Sequence, residues 1–142
     1  MKINKLIITG HRGFIATNFL NNIPDEYETY GIDALLKGSN NFETPGRNKL
    51  KKEYIYKLIN EDLYHELEKD FNNNFNGICV VHFAAWSHVD DSIKNPLYIV
   101  SENTCNTYRL AVWCARKNIP FVNISTDEVY GELTLDDIGS DT

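Results

Sequence analysis

Five short runs of apolar and β-branched residues, each separated from the next by a stretch too long for a hairpin turn, constrain this chain more than any other feature. The runs are Ile3 to Thr9, Glu28 to Asp33, Glu53 to Leu58, Ile78 to Phe83 and Ile119 to Ile124. Between them, apolar residues recur at helical spacing: Phe14, Ile15, Phe19 and Leu20 in the stretch Phe14 to Asn22 before Pro24, and Leu63, Leu67 and Phe71 in the stretch Asp62 to Phe71. Pro96 suits the first turn of a helix and is expected to open a long one through Arg116. Segment Ala34 to Lys52, with Gly38, Ser39, Asn40, Asn41, Pro45 and Gly46, has loop composition with room for one helical turn. Strands that alternate with helices across such connections pair in parallel, with helices on both faces. The predicted fold class is therefore α/β, a doubly wound parallel sheet in one domain, residues 1–142.

The turn after the first run suggests what such a sheet would carry. Gly10-His-Arg-Gly13-Phe14-Ile15-Ala16 lies between a strand and a helix, where a dinucleotide pyrophosphate rests against a helix N-terminus. Gly10 permits the tight turn, Gly13 lets backbone approach a phosphate, and Ala16 allows helix to pack closely on strand. Asp33 ends the second run about 20 residues further on, placed to accept hydrogen bonds from a ribose diol and to repel a 2′-phosphate. This favours NAD over NADP, although Arg12 in the turn could instead pair with that phosphate.

Composition excludes other classes. A net charge of −6, with 14 Lys and Arg largely dispersed, opposes binding to a phosphate backbone, so no nucleic-acid partner is expected. No stretch approaches the ~20 apolar residues of a membrane span, and the N-terminal run is too short for a signal peptide. Cys79, Cys105 and Cys114 match no metal-binding spacing and read as buried free thiols. A cytoplasmic protein with no membrane partner and no metal is expected.

Two further segments carry a resemblance: VVHFAAWSHVDDSI, Val80 to Ile93, and FVNISTDEVYG, Phe121 to Gly131. With the Gly10 turn and the helix around Asn103, they resemble in order the signature segments of the nucleotide-sugar (dTDP-glucose or UDP-glucose) 4,6-dehydratases, of the extended short-chain dehydrogenase/reductase family. The resemblance implies a Rossmann-like domain that binds NAD, and a lyase reaction giving a 4-keto-6-deoxy sugar on the way to rhamnose-type sugars. It implies that the backbone at Phe14 and Ile15 meets the pyrophosphate, that Asp33 meets the adenosine ribose, and that Phe83, Ala84, Ala85 and Ser87 line the nicotinamide side. Ser87 and Thr126 would contact the sugar. Asp127 would be the general acid and Glu128 the general base, since loss of water needs one carboxylate to take the carbon 5 proton and one carboxylic acid to protonate the leaving hydroxyl at carbon 6. His82 and His88 read as structural, and His11 and His65 carry no signal.

The family's central catalyst, a Tyr-x-x-x-Lys pair, has no counterpart: none of the eight tyrosines has lysine four places on. The sheet is expected to be truncated after about the fifth strand, with the substrate domain absent and the chain inactive by itself. Trp86, Asp91 and Glu102 depart from the family pattern, and the Asp-Ile step that holds adenine has only Ile59 and Asn60 nearby. The expected partner is a nucleotide sugar, bound once a C-terminal half completes the site, and family habit adds a homodimer. The alternative is a non-catalytic NAD-binding module, or a relic that acts through a partner.

Overall fold

A computed structural model describes residues 2–36, 39, 43–57, 59–87, 89–126, 129 and 131. Strand β1 (Lys5–Thr9) leads into helix α1 (Phe14–Asn22), β2 (Glu28–Asp33), the short helix α2 (Pro45–Asn48), β3 (Lys52–Ile55) and helix α3 (Glu61–Asp70). Then come β4 (Ile78–His82), α4 (Val89–Lys94), α5 (Pro96–Ile99), a π-helical turn (Val100–Cys105), α6 (Asn106–Arg116) and β5 (Phe121–Asn123). All neighbouring strands are parallel, in the order β3-β2-β1-β4-β5. Thr9 pairs with Ile32 on one side and with His82 on the other. The chain builds outward from β1 to β3, then returns to place β4 against the other edge of β1. That reversal opens a crevice at the carboxyl ends of β1 and β4.

Both sheet faces are covered, which is why the strands read as continuous apolar runs rather than alternating ones. Ile7, Ile32, Tyr54, Ile78 and Val80 face Leu63 and Leu67 of α3 and Leu110, Trp113 and Cys114 of α6. Tyr64 stacks on Trp113 at 5.0 Å between ring centroids. Leu6, Ile8, Cys79 and Val81 face Ala16 and Leu20 of α1. Ala16 is 1% exposed, so its small side chain does seat helix on strand. No helix of the described residues is long and apolar enough to cross a membrane.

The structure departs from expectation in three places. The expected helix Pro96 to Arg116 is broken by the π-helical turn, and α4 precedes it. The break follows from a tertiary contact: Asn103 Oδ1 accepts from Trp86 N–H (2.7 Å) and its Nδ2 donates to Trp86 C=O (2.9 Å), holding the widened turn against the loop after β4. Helix α4 has Asp90, Asp91, Ser92 and Lys94 among its six residues, too polar for a periodic signal. Third, only Cys79 and Cys114 are buried thiols; Cys105 is exposed, because the π-helical turn carries it outward.

Candidate functional site

The Gly10 turn is built for close approach. Gly10 has φ +64, and a Cβ there would stand 2.7 Å from Ala84 Cα, so no other residue fits both the turn and the neighbouring loop. Its N–H donates to Ile32 C=O at 2.8 Å, tying the turn to β2. Gly13 donates its N–H back to Gly10 C=O and serves as N-cap of α1, with no side chain accepting from the first turn of the helix. The positive end of α1 is thereby left for an anion from outside. The side chains of Phe14 and Ile15 are exposed.

A cavity of about 340 Å³ runs along the carboxyl ends of β1, β2 and β4. Gly10, Gly13 and Phe14 form its middle, and Asp33, Ser39, Tyr56, Lys57 and Ile59 its end beyond β2. Phe83, Ala84, Ala85, Trp86 and Ser87 form the opposite wall, closed by Glu102, Asn103 and Asn106. Burial raises the Glu102 carboxyl above the ordinary range. Asp33 is buried and held by three donors: Arg12 N–H (2.9 Å) on one oxygen, and Leu35 N–H (2.8 Å) and Ser39 Oγ (3.0 Å) on the other. These bonds fix its position at the end of the cavity.

Beneath the Phe83–Ser87 wall runs one chain of hydrogen bonds. Ala84 N–H donates to Thr9 Oγ1, and Thr9 Oγ1 lies 2.5 Å from His82 Nδ1. His82 Nε2 lies 2.9 Å from Thr107 Oγ1, which donates to Asn103 C=O. Thr107 gives its proton to Asn103 C=O, so His82 donates at Nε2, and a neutral ring then accepts at Nδ1 from Thr9 Oγ1. Burial agrees, lowering the His82 pKa to about 4. The ring links β4 to α6 and fixes the loop that lines the cavity, as the structural reading of His82 anticipates.

His11, by contrast, does carry a signal. It is fully buried, its Nε2 lies 2.5 Å from Glu53 Oε1, and its ring fills the space where a Cβ on Gly31 would meet it at 2.7 Å. Arg12 donates to the same carboxylate through Nε (2.7 Å) and one terminal nitrogen (2.6 Å). These donors, Arg12 first, hold the Glu53 pKa down at about 2.

The structure thus brings Gly10, Gly13, Phe14, Asp33, Phe83, Ala84, Ala85 and Ser87 to one cavity. Ile15 does not line it, and Thr126 is exposed outside it. Asp127 and Glu128, with His88 and Tyr130, lie outside the described residues. Ile59 lines the end of the cavity beyond β2, whereas the side chain of Asn60 is used to cap α3 by accepting from Leu63 N–H. Tyr56, Asn106 and Glu53 had escaped notice. Tyr56 stands just past the carboxyl end of β3, a position that could have found it; Glu53 and Asn106 depend on contacts far away in sequence.

Comparison with known proteins agrees with this geometry. The family model described as "NAD dependent epimerase/dehydratase family" matches residues 6–142. The chain is 32% identical over 137 residues to dTDP-glucose 4,6-dehydratase of Mycobacterium tuberculosis, covering 94% of this chain and 39% of that protein. It is 32% identical to a trifunctional UDP-glucose 4,6-dehydratase/3,5-epimerase/reductase of Arabidopsis thaliana, covering 92% of this chain and 20% of that protein. A crystal structure of dTDP-glucose 4,6-dehydratase from Streptomyces venezuelae with NAD bound superposes with a TM-score of 0.67 at 26% identity, over 92% of this chain and 42% of that one. The chain spans a third to two fifths of the dTDP-glucose enzymes it matches.

Proposed function

Because the chain belongs to the NAD-dependent epimerase/dehydratase family, we propose that it is the NAD-binding portion of a nucleotide-sugar 4,6-dehydratase acting on dTDP-glucose or UDP-glucose. The observation that carries this reading is the single cavity shared by the Gly10 turn, Asp33 and the Phe83–Ser87 wall. The glycine-lined turn at the N-terminus of α1 fits a pyrophosphate, with the backbone of Phe14 and Ile15 donating. Asp33 accepts from the adenosine ribose, Ile59 packs against the adenine side, and Phe83, Ala84, Ala85 and Ser87 flank the nicotinamide. Bound NAD supplies the hydride acceptor at carbon 4 of the sugar.

Thr126 and Ser87 contact the sugar in this reading. Asp127 protonates the leaving hydroxyl and Glu128 removes the carbon 5 proton. The carbon 4 hydroxyl proton needs a tyrosine base, and these 142 residues hold no Tyr-x-x-x-Lys. A C-terminal half must therefore supply that base and the sugar-nucleotide site. Free cysteines suit the reducing cytoplasm, and exposed apolar side chains such as Leu97, Val100 and Tyr108 suit pairing with a second copy.

Titration calorimetry with NAD and NADP tests the cofactor reading. NAD is expected to bind more tightly, because Asp33 favours a diol and opposes a third phosphate. Equal affinity, or tighter binding of NADP, would overturn it.

A further inference from the structure

Glu53 lies on β3, paired in register with Gly31 of β2, two residues before Asp33. It does not line the cavity, yet it holds both side chains of the Gly10 turn that carry nitrogen. Arg12 meets it in a two-pronged ion pair at 2.7 and 2.6 Å, with side-chain exposures of only 18% and 28% for the two partners. Charge-assisted forks of this kind are the strong ones, because both bonds are aligned by one planar group. His11, fixed under Gly31, meets the same oxygen that receives Arg12 Nε, Oε1, at 2.5 Å and so anchors the carboxylate a second time.

The backbone N–H of Arg12 touches Asp33 at 2.9 Å. An arginine rooted at the carboxylate that receives the ribose is within side-chain reach of a phosphate esterified on that ribose. Its guanidinium is instead drawn onto β3. We propose that Glu53 is a cofactor-selecting residue: its ion pair keeps Arg12 from a 2′-phosphate, so that Asp33 alone meets the ribose and the chain takes NAD rather than NADP. This rests on the reading of the cavity as a dinucleotide site. Glu53 stays ionised throughout the neutral range, since Arg12 and His11 hold its pKa at about 2, and the pair persists wherever the cofactor is bound.

The test is calorimetric titration of NAD and NADP into the wild-type chain, Glu53→Ala, Glu53→Gln, and the double variant Arg12→Ala/Glu53→Ala. Glu53→Ala is expected to tighten NADP binding by roughly tenfold or more relative to NAD, the scale of one charge-assisted contact. Glu53→Gln, which keeps the shape and the His11 contact, should shift the ratio the same way by less. The double variant should lose the gain, because the released guanidinium is what captures the phosphate. An unchanged NAD-to-NADP ratio in Glu53→Gln or Glu53→Ala, or a gain that survives removal of Arg12, overturns the inference while leaving the dinucleotide site intact. If the wild-type chain binds neither cofactor, the site reading itself falls and this inference with it.

Discussion

Asp33 belongs at once to the fold and to the proposed cofactor site. Three part-buried donors from Arg12, Leu35 and Ser39 converge on it, so removing the carboxylate leaves them unpaired and removes the proposed ribose contact as well. Asp33→Ala is expected to weaken NAD binding by ~1.5–3 kcal/mol, the range for a hydrogen bond to a charged group. It should also lower the unfolding midpoint, which a thermal melt of the apo chain would register. Weakened binding with an unchanged melt would mean that the three donors find water instead. The place of Asp33 at the cavity was legible in the sequence, because an acid at the end of the second strand, after a glycine turn, is informative by position alone.

At the scale of elements, β4 and α6 are joined by a histidine that must stay neutral. Burial lowers His82 to about 4 from its ordinary 6.5. Between those values the unfolded chain takes up a proton that the folded chain refuses, so stability is complete above about pH 6.5 and falls as the pH drops toward 4. Glu53 acts in a lower window. Its folded pKa of about 2 lies below the ordinary 4.5, so its contribution is present above pH 4.5 and is lost as the pH falls through the folded value. Urea denaturation at pH 7.5, 5.5, 4 and 3 should show a decline that His82→Gln flattens above pH 4, and a further decline below pH 4.5, shared with Glu66, Glu68 and Asp70, that Glu53→Gln makes shallower. An identical pH slope in wild type and His82→Gln would remove the histidine from this account.

For the molecule as a whole, the 142-residue chain by itself is expected to show no dehydratase activity. Hydride leaves carbon 4 only when its hydroxyl proton is removed, and absence of a general base costs on the order of 10²–10⁴ in rate. Positioning of the sugar nucleotide accounts for a further ~7–11 kcal/mol of barrier. Incubation of the pure chain with NAD and dTDP-glucose or UDP-glucose, read by the alkaline absorbance of the 4-keto product, checks this; turnover at an ordinary enzymatic rate would refute it. In a chimera that carries a relative's C-terminal half, Glu128→Gln should block exchange of the carbon 5 proton while the sugar still reduces NAD. Asp127→Asn in the same chimera should slow loss of water by roughly 10²–10⁴.

Local sequence alone determined α1 and β2, whose bounds Phe14–Asn22 and Glu28–Asp33 agree residue for residue with the reading of apolar spacing, flanking glycine and proline. It also marked Gly10, Gly13 and Asp33, because parallel strands place such residues at their carboxyl ends whatever the details of packing, while Phe83, Ala84, Ala85 and Ser87 were legible through the family resemblance. Tertiary structure decided the rest. The π-helical turn exists because Asn103 reaches back to Trp86, and no spacing within Pro96 to Arg116 encodes that contact. Exposure of Cys105 follows from the same turn. The bond of Glu53 to His11 and Arg12 joins positions some forty residues apart, which become neighbours only when β3 docks on β2. Periodicity reports which face of an element is apolar; which distant polar group it meets is set by how the sheet is ordered.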